Sequence, residues 1–172
     1  DLHTGPLMIL GPTMDPTIAA SVSLRMPHLP LRMAAHGERA LALAQRCADL
    51  GVNVSYPGLP EHLDHGLFDR LRHPDYGYGG LLTIDAGDEA TAMALMNTLQ
   101  NEHQFGYVAV SLGYFDTLMS CSASSTSSEM PEEALATAAI GHGLVRMAVG
   151  YTGTLDQRWA QLVAALRATG LA

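Results

Sequence analysis

No lysine occurs anywhere in the 172 residues, and all nine basic side chains are arginine. The chain therefore has no side-chain primary amine. Positive charge is scarce too: 17 acidic residues against nine basic give a formal net charge of −8. Nucleic-acid phosphates ask for a basic patch, so no nucleic-acid partner is expected. No apolar run reaches the ~18 residues of a membrane span, and no membrane partner is expected either. Two cysteines, Cys47 and Cys121, are too few for a disulfide framework. With no basic-then-apolar leader at the start, a reducing cytoplasm is the expected setting. Asp1 stands where an initiator methionine would be, so a processed product or a piece of something longer is expected.

What is present is a globular composition. A hydrophobic share of 48% with 15% charged residues excludes a disordered acidic tail. The length suits one domain that buries roughly 70% of its unfolded surface. Residues 1–15, with glycine or proline breaks at Gly5-Pro6 and Gly11-Pro12 and a third just beyond at Pro16, read as an irregular lead-in. Asp15-Pro16 then reads as an N-cap and first turn, with Ile18, Val22 and Met26 on one stripe. Pro27 and Pro30 interrupt that helix. A second helix is expected from about Pro30 to Leu50, stopped by Gly51.

Beyond it, strands and helices alternate. Strands are expected at Val52–Tyr56, Leu81–Ala86, Tyr107–Leu112 and Leu144–Val149. Helices are expected at Glu61–Leu71, Glu89–Gln100, Pro131–Ala139 and Thr154–Thr169. Four strands interleaved with helices predict a sheet covered by helices, in one domain over 16–172.

Arg146 is the residue that strand chemistry singles out. Alternation within Leu144–Val149 places it on the face of Leu144 and Ala148. A guanidinium on an apolar strand needs an anion. Its planar fork suits a carboxylate held by two parallel hydrogen bonds, from a ligand or from a buried aspartate or glutamate of the chain. Ser111 and Gly113 end the preceding strand, either to join Arg146 around one carboxylate or for close packing. The run Ser120–Ser128 reads as a flexible linker or as an ordered loop lining a site. His62 and His65 stand three apart, but no acidic or cysteine ligand completes a metal set, and both read as helix-surface residues. His36 reads as a helix-face residue, Cys47 and Cys121 as buried thiols, and Met93 and Met96 as core filling. Tyr76–Gly80 lacks the strand-before, helix-after context of a dinucleotide loop and reads as a tight approach into the next strand.

Five motifs in order carry a resemblance. They are Leu29-Pro30-Leu31-Arg32-Met33 with His36, Tyr56-Pro57-Gly58-Leu59-Pro60 with His62 and His65, Gly79-Gly80-Leu81, Ala109–Gly113, and Gly143–Gly150. Together they resemble the C-terminal part of the Cys/Met-metabolism family of pyridoxal-phosphate enzymes. That family includes methionine γ-lyase, cystathionine γ-lyase, cystathionine γ-synthase and O-acetylhomoserine sulfhydrylase. The resemblance implies an α/β (α+β) fold: a small, mostly antiparallel four-stranded sheet with helices on one side. It also implies that residues 1–15 connect to a cofactor domain absent from this chain.

By the same resemblance Arg146 matches the arginine that holds the substrate α-carboxylate, with Ser111 and the Leu112 backbone as helpers. Thr126 matches a threonine of the loop that closes over the substrate. Val110 is apolar where cystathionine γ-lyases carry glutamate, as in methionine γ-lyase or sulfhydrylase sites. Ser125 and Ser127 stand in that loop where relatives usually carry methionine and histidine, and Tyr114 and Phe115, after Gly113, depart from smaller residues and imply a reshaped pocket. Pyridoxal phosphate needs an amine, and the Schiff-base lysine is absent, so no catalytic residue lies in this chain.

The expectation is the substrate-carboxylate-binding portion of a pyridoxal-phosphate C–S lyase or γ-replacement enzyme. It would act on sulfur amino acids or O-acylhomoserine. Its partners would be an N-terminal cofactor-binding segment of the same protein, a small amino-acid substrate, and further copies in a dimer or tetramer. The alternative is a stand-alone, non-catalytic α/β domain that binds a small carboxylate. No metal is expected.

Overall fold

Capping and proline placement set the first elements. In the computed structural model, which describes residues 14–172, Asp15 accepts hydrogen bonds from the Thr17 and Ile18 amides at 2.8 and 3.2 Å. It thereby starts helix α1 (Pro16–Arg25), with proline in the first turn. Most of the irregular lead-in read from the sequence, residues 1–13, lies outside the described residues. The chain divides into two compact units, Asp1–Leu31 and Arg32–Ala172. In the first, no residue of α1 is buried, and Ile18, Val22 and Met26 are exposed. Around Pro27 the helix tightens to a 3-10 turn, Met26–His28.

The next helix, α2 (Leu29–Asp49), buries His36, Gly37, Ala40, Leu43, Ala44 and Cys47 at helical spacing. Strand β1 (Val54–Ser55) and the short helix α3 (His65–Leu71) follow. Strand β2 (Leu81–Asp85) leads to helix α4 (Glu89–Asn97), capped by Asp88 accepting from the Thr91 amide at 2.9 Å. Helix α4 widens into a π turn, Thr98–Glu102, before strand β3 (Gly106–Val108). Strand β4 (Thr117–Cys121), helix α5 (Glu132–Thr137), strand β5 (Leu144–Ala148) and helix α6 (Leu155–Ala168) complete the second unit.

The sheet is five-stranded, in the order β1-β2-β5-β4-β3. Only β3 and β4 run parallel; the other neighbours are antiparallel. One face, carrying Leu82, Ile84, Met119, Cys121, Val145 and Met147, joins a core with Leu43, Leu95, Leu99, Leu162 and Leu166 of the helices. A mostly antiparallel sheet covered by helices is therefore present, but with five strands rather than four.

The added strand is β4. All five of its residues are buried, so it lacks the apolar-polar alternation that marks a half-exposed strand. The expected strand Tyr107–Leu112 is shorter and stops at Val108, which puts Val110, Ser111 and Leu112 in the following loop. Helix α3 begins four residues later than expected, because 57–64 is taken up by turns. His36 is on a helix face as expected, the buried face of α2, and is 4% exposed. Met96 lies in the core, whereas Met93 is exposed.

Candidate functional site

Strand order makes Arg146 central. It lies on β5, the middle strand, with Thr83 of β2 opposite it on one side and Ser120 of β4 on the other. Alternation keeps Val145 and Met147 in the core and turns Arg146, with Leu144, to the other face. Directly opposed residues in antiparallel strands share a face, with Cβ atoms about 4.5–5.5 Å apart. The two residues directly opposite Arg146 thus both carry hydroxyls.

The sequence left open whether an internal carboxylate pairs with Arg146. Among the described residues, ion pairs join Arg46 to Asp156, Arg72 to Asp69 and Arg158 to Asp116, and none involves Arg146. Its Nε is buried with no hydrogen-bond partner. Ser120 is 3% exposed, and its Oγ is likewise buried and unpartnered. An unsatisfied buried polar group costs about 1–3 kcal/mol, and more when it is charged. The two unsatisfied groups belong to residues directly opposite each other across β4 and β5.

Ser111, Leu112 and Gly113 occupy an exposed loop between β3 and β4. The Arg32 guanidinium donates to the Gly113 carbonyl at 2.7 Å and pins that loop, while its own Nε is buried and unpartnered. Gly113 has φ +71°, a left-handed conformation that glycine takes without strain. Farther along, the Tyr151 amide donates to the Phe115 carbonyl at 2.9 Å. Tyr114 packs on Phe115 at 4.0 Å and edge-on to Tyr107 at 6.4 Å.

Thr126 is exposed in the turn that follows β4. That serine-rich run begins as ordered chain: Ser122 and Ala123 are buried, and the Ser127 amide donates to the Ser122 carbonyl at 3.0 Å. Val110, Ser120, Ser125, Met93 and Met96 border one cavity, of about 410 Å³.

A second cavity of about 510 Å³ is mainly apolar and is lined by Leu112, Gly113, Leu81, Ala148, Phe68 and His36, among others. His36 Nδ1 donates to the Val149 carbonyl at 2.6 Å, which leaves its Nε2 as an acceptor without a partner. Gly80 closes against this histidine, where an added Cβ would come within 3.0 Å of His36 Cβ. The tight approach expected at Tyr76–Gly80 is therefore present.

His62 and His65 turn to local backbone. His65 donates to the Pro57 carbonyl at 2.7 Å and stacks on Tyr78, and His62 accepts from the Asp64 amide at 3.1 Å. Cys121 Sγ donates to the His142 carbonyl at 3.1 Å. Burial pushes the Cys47 thiol up to about 12.

Sequence reasoning did not find Ser120 or Arg32 as site residues. Ser120 needed the unread strand β4 to show its register with Arg146. Arg32 lay within a quoted motif, but nothing local pointed to a carbonyl 81 residues away.

Residues 6–166 match the model of the Cys/Met metabolism PLP-dependent enzymes. The chain is 56% identical over 161 residues to methionine gamma-lyase of Arabidopsis thaliana, covering 94% of this chain and 36% of that protein. It is 33% identical over 152 residues to L-methionine gamma-lyase of Pseudomonas deceptionensis, covering 86% and 36%. Among solved structures, a Campylobacter jejuni protein assigned as an O-acetylhomoserine (thiol)-lyase, containing N′-pyridoxyl-lysine-5′-monophosphate, superimposes with TM-score 0.73 at 27% identity. That match covers 81% of this chain and 32% of the other. Cystathionine gamma synthase of Xanthomonas oryzae, in complex with aminoacrylate and cysteine, superimposes with TM-score 0.68 at 29% identity, covering 79% and 34%. The chain thus spans about a third of the length of these relatives.

Proposed function

Because the chain belongs to the Cys/Met metabolism family of PLP-dependent enzymes, we propose that it is the substrate-carboxylate-binding portion of a methionine γ-lyase-like enzyme. The observation that carries this reading is the Arg146 guanidinium, set mid-sheet with a buried, unpartnered Nε and no carboxylate partner among the described residues.

Arg146 holds the substrate α-carboxylate through two parallel N–H donors, a geometry that fixes the plane of the carboxylate as well as its place. The Ser111 hydroxyl and the Leu112 amide add donors from the loop pinned by Arg32. Thr126 comes from the turn after β4. Val110 offers an uncharged surface to the substrate side chain, which suits a thioether better than a second ammonium.

When bound, pyridoxal phosphate supplies the electron sink for the carbanion formed at the substrate Cα. The orphaned Arg146 Nε–H on β5 fits a carboxylate. The chain has no lysine to fix the cofactor's aldehyde, so that amine comes from a segment outside this sequence. What these residues contribute is orientation: an amino acid anchored at its carboxylate presents its Cα–H in one direction. In the same proposal the protein works in the cytoplasm as a homo-oligomer. No helix among the described residues is long and apolar enough to cross a membrane.

In the complete, cofactor-loaded protein, Arg146→Ala is expected to cost about 2–4 kcal/mol in kcat/KM for L-methionine, the scale for unmatching a desolvated charge. A loss under tenfold removes Arg146 from the site. The absence of lysine favours a second reading, a free-standing carboxylate-binding domain without chemistry. A purified lysine-free chain that is colourless and binds methionine supports that reading. Co-purification with a lysine-bearing segment and a yellow chromophore supports the enzyme.

A further inference from the structure

Ser120 has no role in the function proposed above, yet its hydroxyl is one of four buried side-chain nitrogen or oxygen atoms without a partner among the described residues. Two of the four, Ser120 Oγ and Arg146 Nε, belong to residues directly opposite each other across β4 and β5. We propose that Ser120 is a positioning residue for Arg146 and the substrate carboxylate, its hydroxyl and the Arg146 Nε–H meeting on one shared oxygen.

The strand geometry supports that arrangement. Opposed antiparallel residues hold their Cβ atoms about 4.5–5.5 Å apart on one face. Arg146 Nε–H is a donor and the Ser120 hydroxyl can donate or accept, yet the two, both enclosed by protein, do not hydrogen-bond to each other here. An oxygen between them satisfies both at once, and a carboxylate oxygen, with two lone pairs, can accept from both. The other flank of Arg146 does not compete for this role. Thr83 is half-exposed, so its hydroxyl is open to water, whereas Ser120 is 3% exposed. Of the two hydroxyls beside the guanidinium, only that of Ser120 loses a partner when the site is empty.

Two consequences follow. First, the hydroxyl that joins Arg146 on the carboxylate is fixed on the central sheet rather than on a loop. Second, serine contributes no charge, and the positive charge of Arg146 stays free for the incoming anion.

This inference rests on the carboxylate reading of Arg146, and the test separates the two. In the complete, cofactor-loaded protein, the KM for L-methionine and the inhibition constant of its decarboxylated amine, 3-(methylthio)propylamine, are measured for the parent, Arg146→Ala, Ser120→Ala and Ser120→Thr. Loss of one hydrogen bond to a charged group is expected to raise the methionine KM of Ser120→Ala about 10-fold. The amine's constant and kcat should stay within about twofold, because the amine lacks the group that Ser120 touches. Ser120→Thr, which keeps the hydroxyl on a residue suited to a strand, should recover most of the loss.

If Ser120→Ala leaves the methionine KM unchanged, or weakens acid and amine equally, the proposal for Ser120 is overturned while Arg146 stands. If Arg146→Ala fails to weaken methionine relative to the amine, the carboxylate reading falls and takes this inference with it.

Discussion

Arg158→Leu is the substitution whose cost can be worked most fully from the structure. The Arg158 side chain is 12% exposed and its partner Asp116 is 15% exposed, joined at 2.9 Å. The guanidinium also donates to Thr152 Oγ1 at 2.7 Å and to the carbonyls of Gln104, Phe105 and Thr152 at 2.9, 3.0 and 3.1 Å. Leucine keeps much of the stem's contact and removes every donor. Asp116 would retain the Thr117 amide at 2.9 Å and the Thr152 hydroxyl at 3.0 Å, but no cation. Removing one partner of a buried pair costs about 3–5 kcal/mol. For a chain of this size that lowers the melting temperature by on the order of 10 °C.

The chain's one tryptophan, Trp159, stands next to Arg158, packs against the core and reports unfolding by fluorescence. Denaturant titration of the parent, Arg158→Leu, Asp116→Asn and the double variant gives the coupling energy directly. A loss for Arg158→Leu below about 1 kcal/mol, the range of exposed pairs, would refute the claim that this network is desolvated.

Two further outcomes test the packing. Gly37 sits in the interior of α2, where alanine would ordinarily gain about 1 kcal/mol of helix propensity. Here an added Cβ would lie 2.7 Å from the Tyr76 carbonyl oxygen, so Gly37→Ala should instead destabilise by about 1–3 kcal/mol; a higher denaturation midpoint would contradict that close approach. Cys47 is fully buried with its thiol pushed up to about 12, so the folded state keeps a proton that the unfolded state loses from about pH 9. Its contribution to stability is therefore complete below about pH 9 and is lost toward pH 12, by up to about 1.4 kcal/mol per pH unit. Urea melts at stepped pH should show that fall, Cys47→Ala should flatten it, and iodoacetamide should leave Cys47 unlabelled in the folded protein at pH 8.

Much of this fold was legible because local chemistry and tertiary packing agree. Asp15-Pro16 starts α1 and Pro27 interrupts it. The apolar side of α2 was legible only in part: of Met33, Leu41, Ala44 and Ala48, the residues that the sequence pattern puts there, Ala44 is buried, Met33 and Leu41 are partly buried and Ala48 is exposed. Arg146 was legible because alternation within Leu144–Val149 left one charged residue on an apolar strand. Strand β4 was not legible. Thr117-Leu118-Met119-Ser120-Cys121 is enclosed on both faces, so periodicity carries no signal, and its last two residues merge into a serine-rich run that reads as a loop. Missing β4 also hid Ser120, because a cross-strand neighbour exists only once the register is known. The loop of Ser111 was read as strand because Val108-Ala109-Val110 has strand composition. The ladder ends at Val108, and only one further bond, from the Ala109 amide to the Met119 carbonyl at 2.9 Å, continues it.

The parallel pairing of β3 with β4 imposes a constraint on how this protein can diversify. Parallel neighbours are usually joined by a dozen or more residues, since the chain must return to its starting end before pairing again. Here residues 109–116 make that return, between Val108 and Thr117. A hairpin tip tolerates added residues because they project into solvent, whereas lengthening this bridge would displace Ser111 and Leu112 relative to the central sheet. Under the function proposed above, variation that tunes the substrate side chain falls to exchanges in place, at Val110, Tyr114 or Phe115, with loop length held constant.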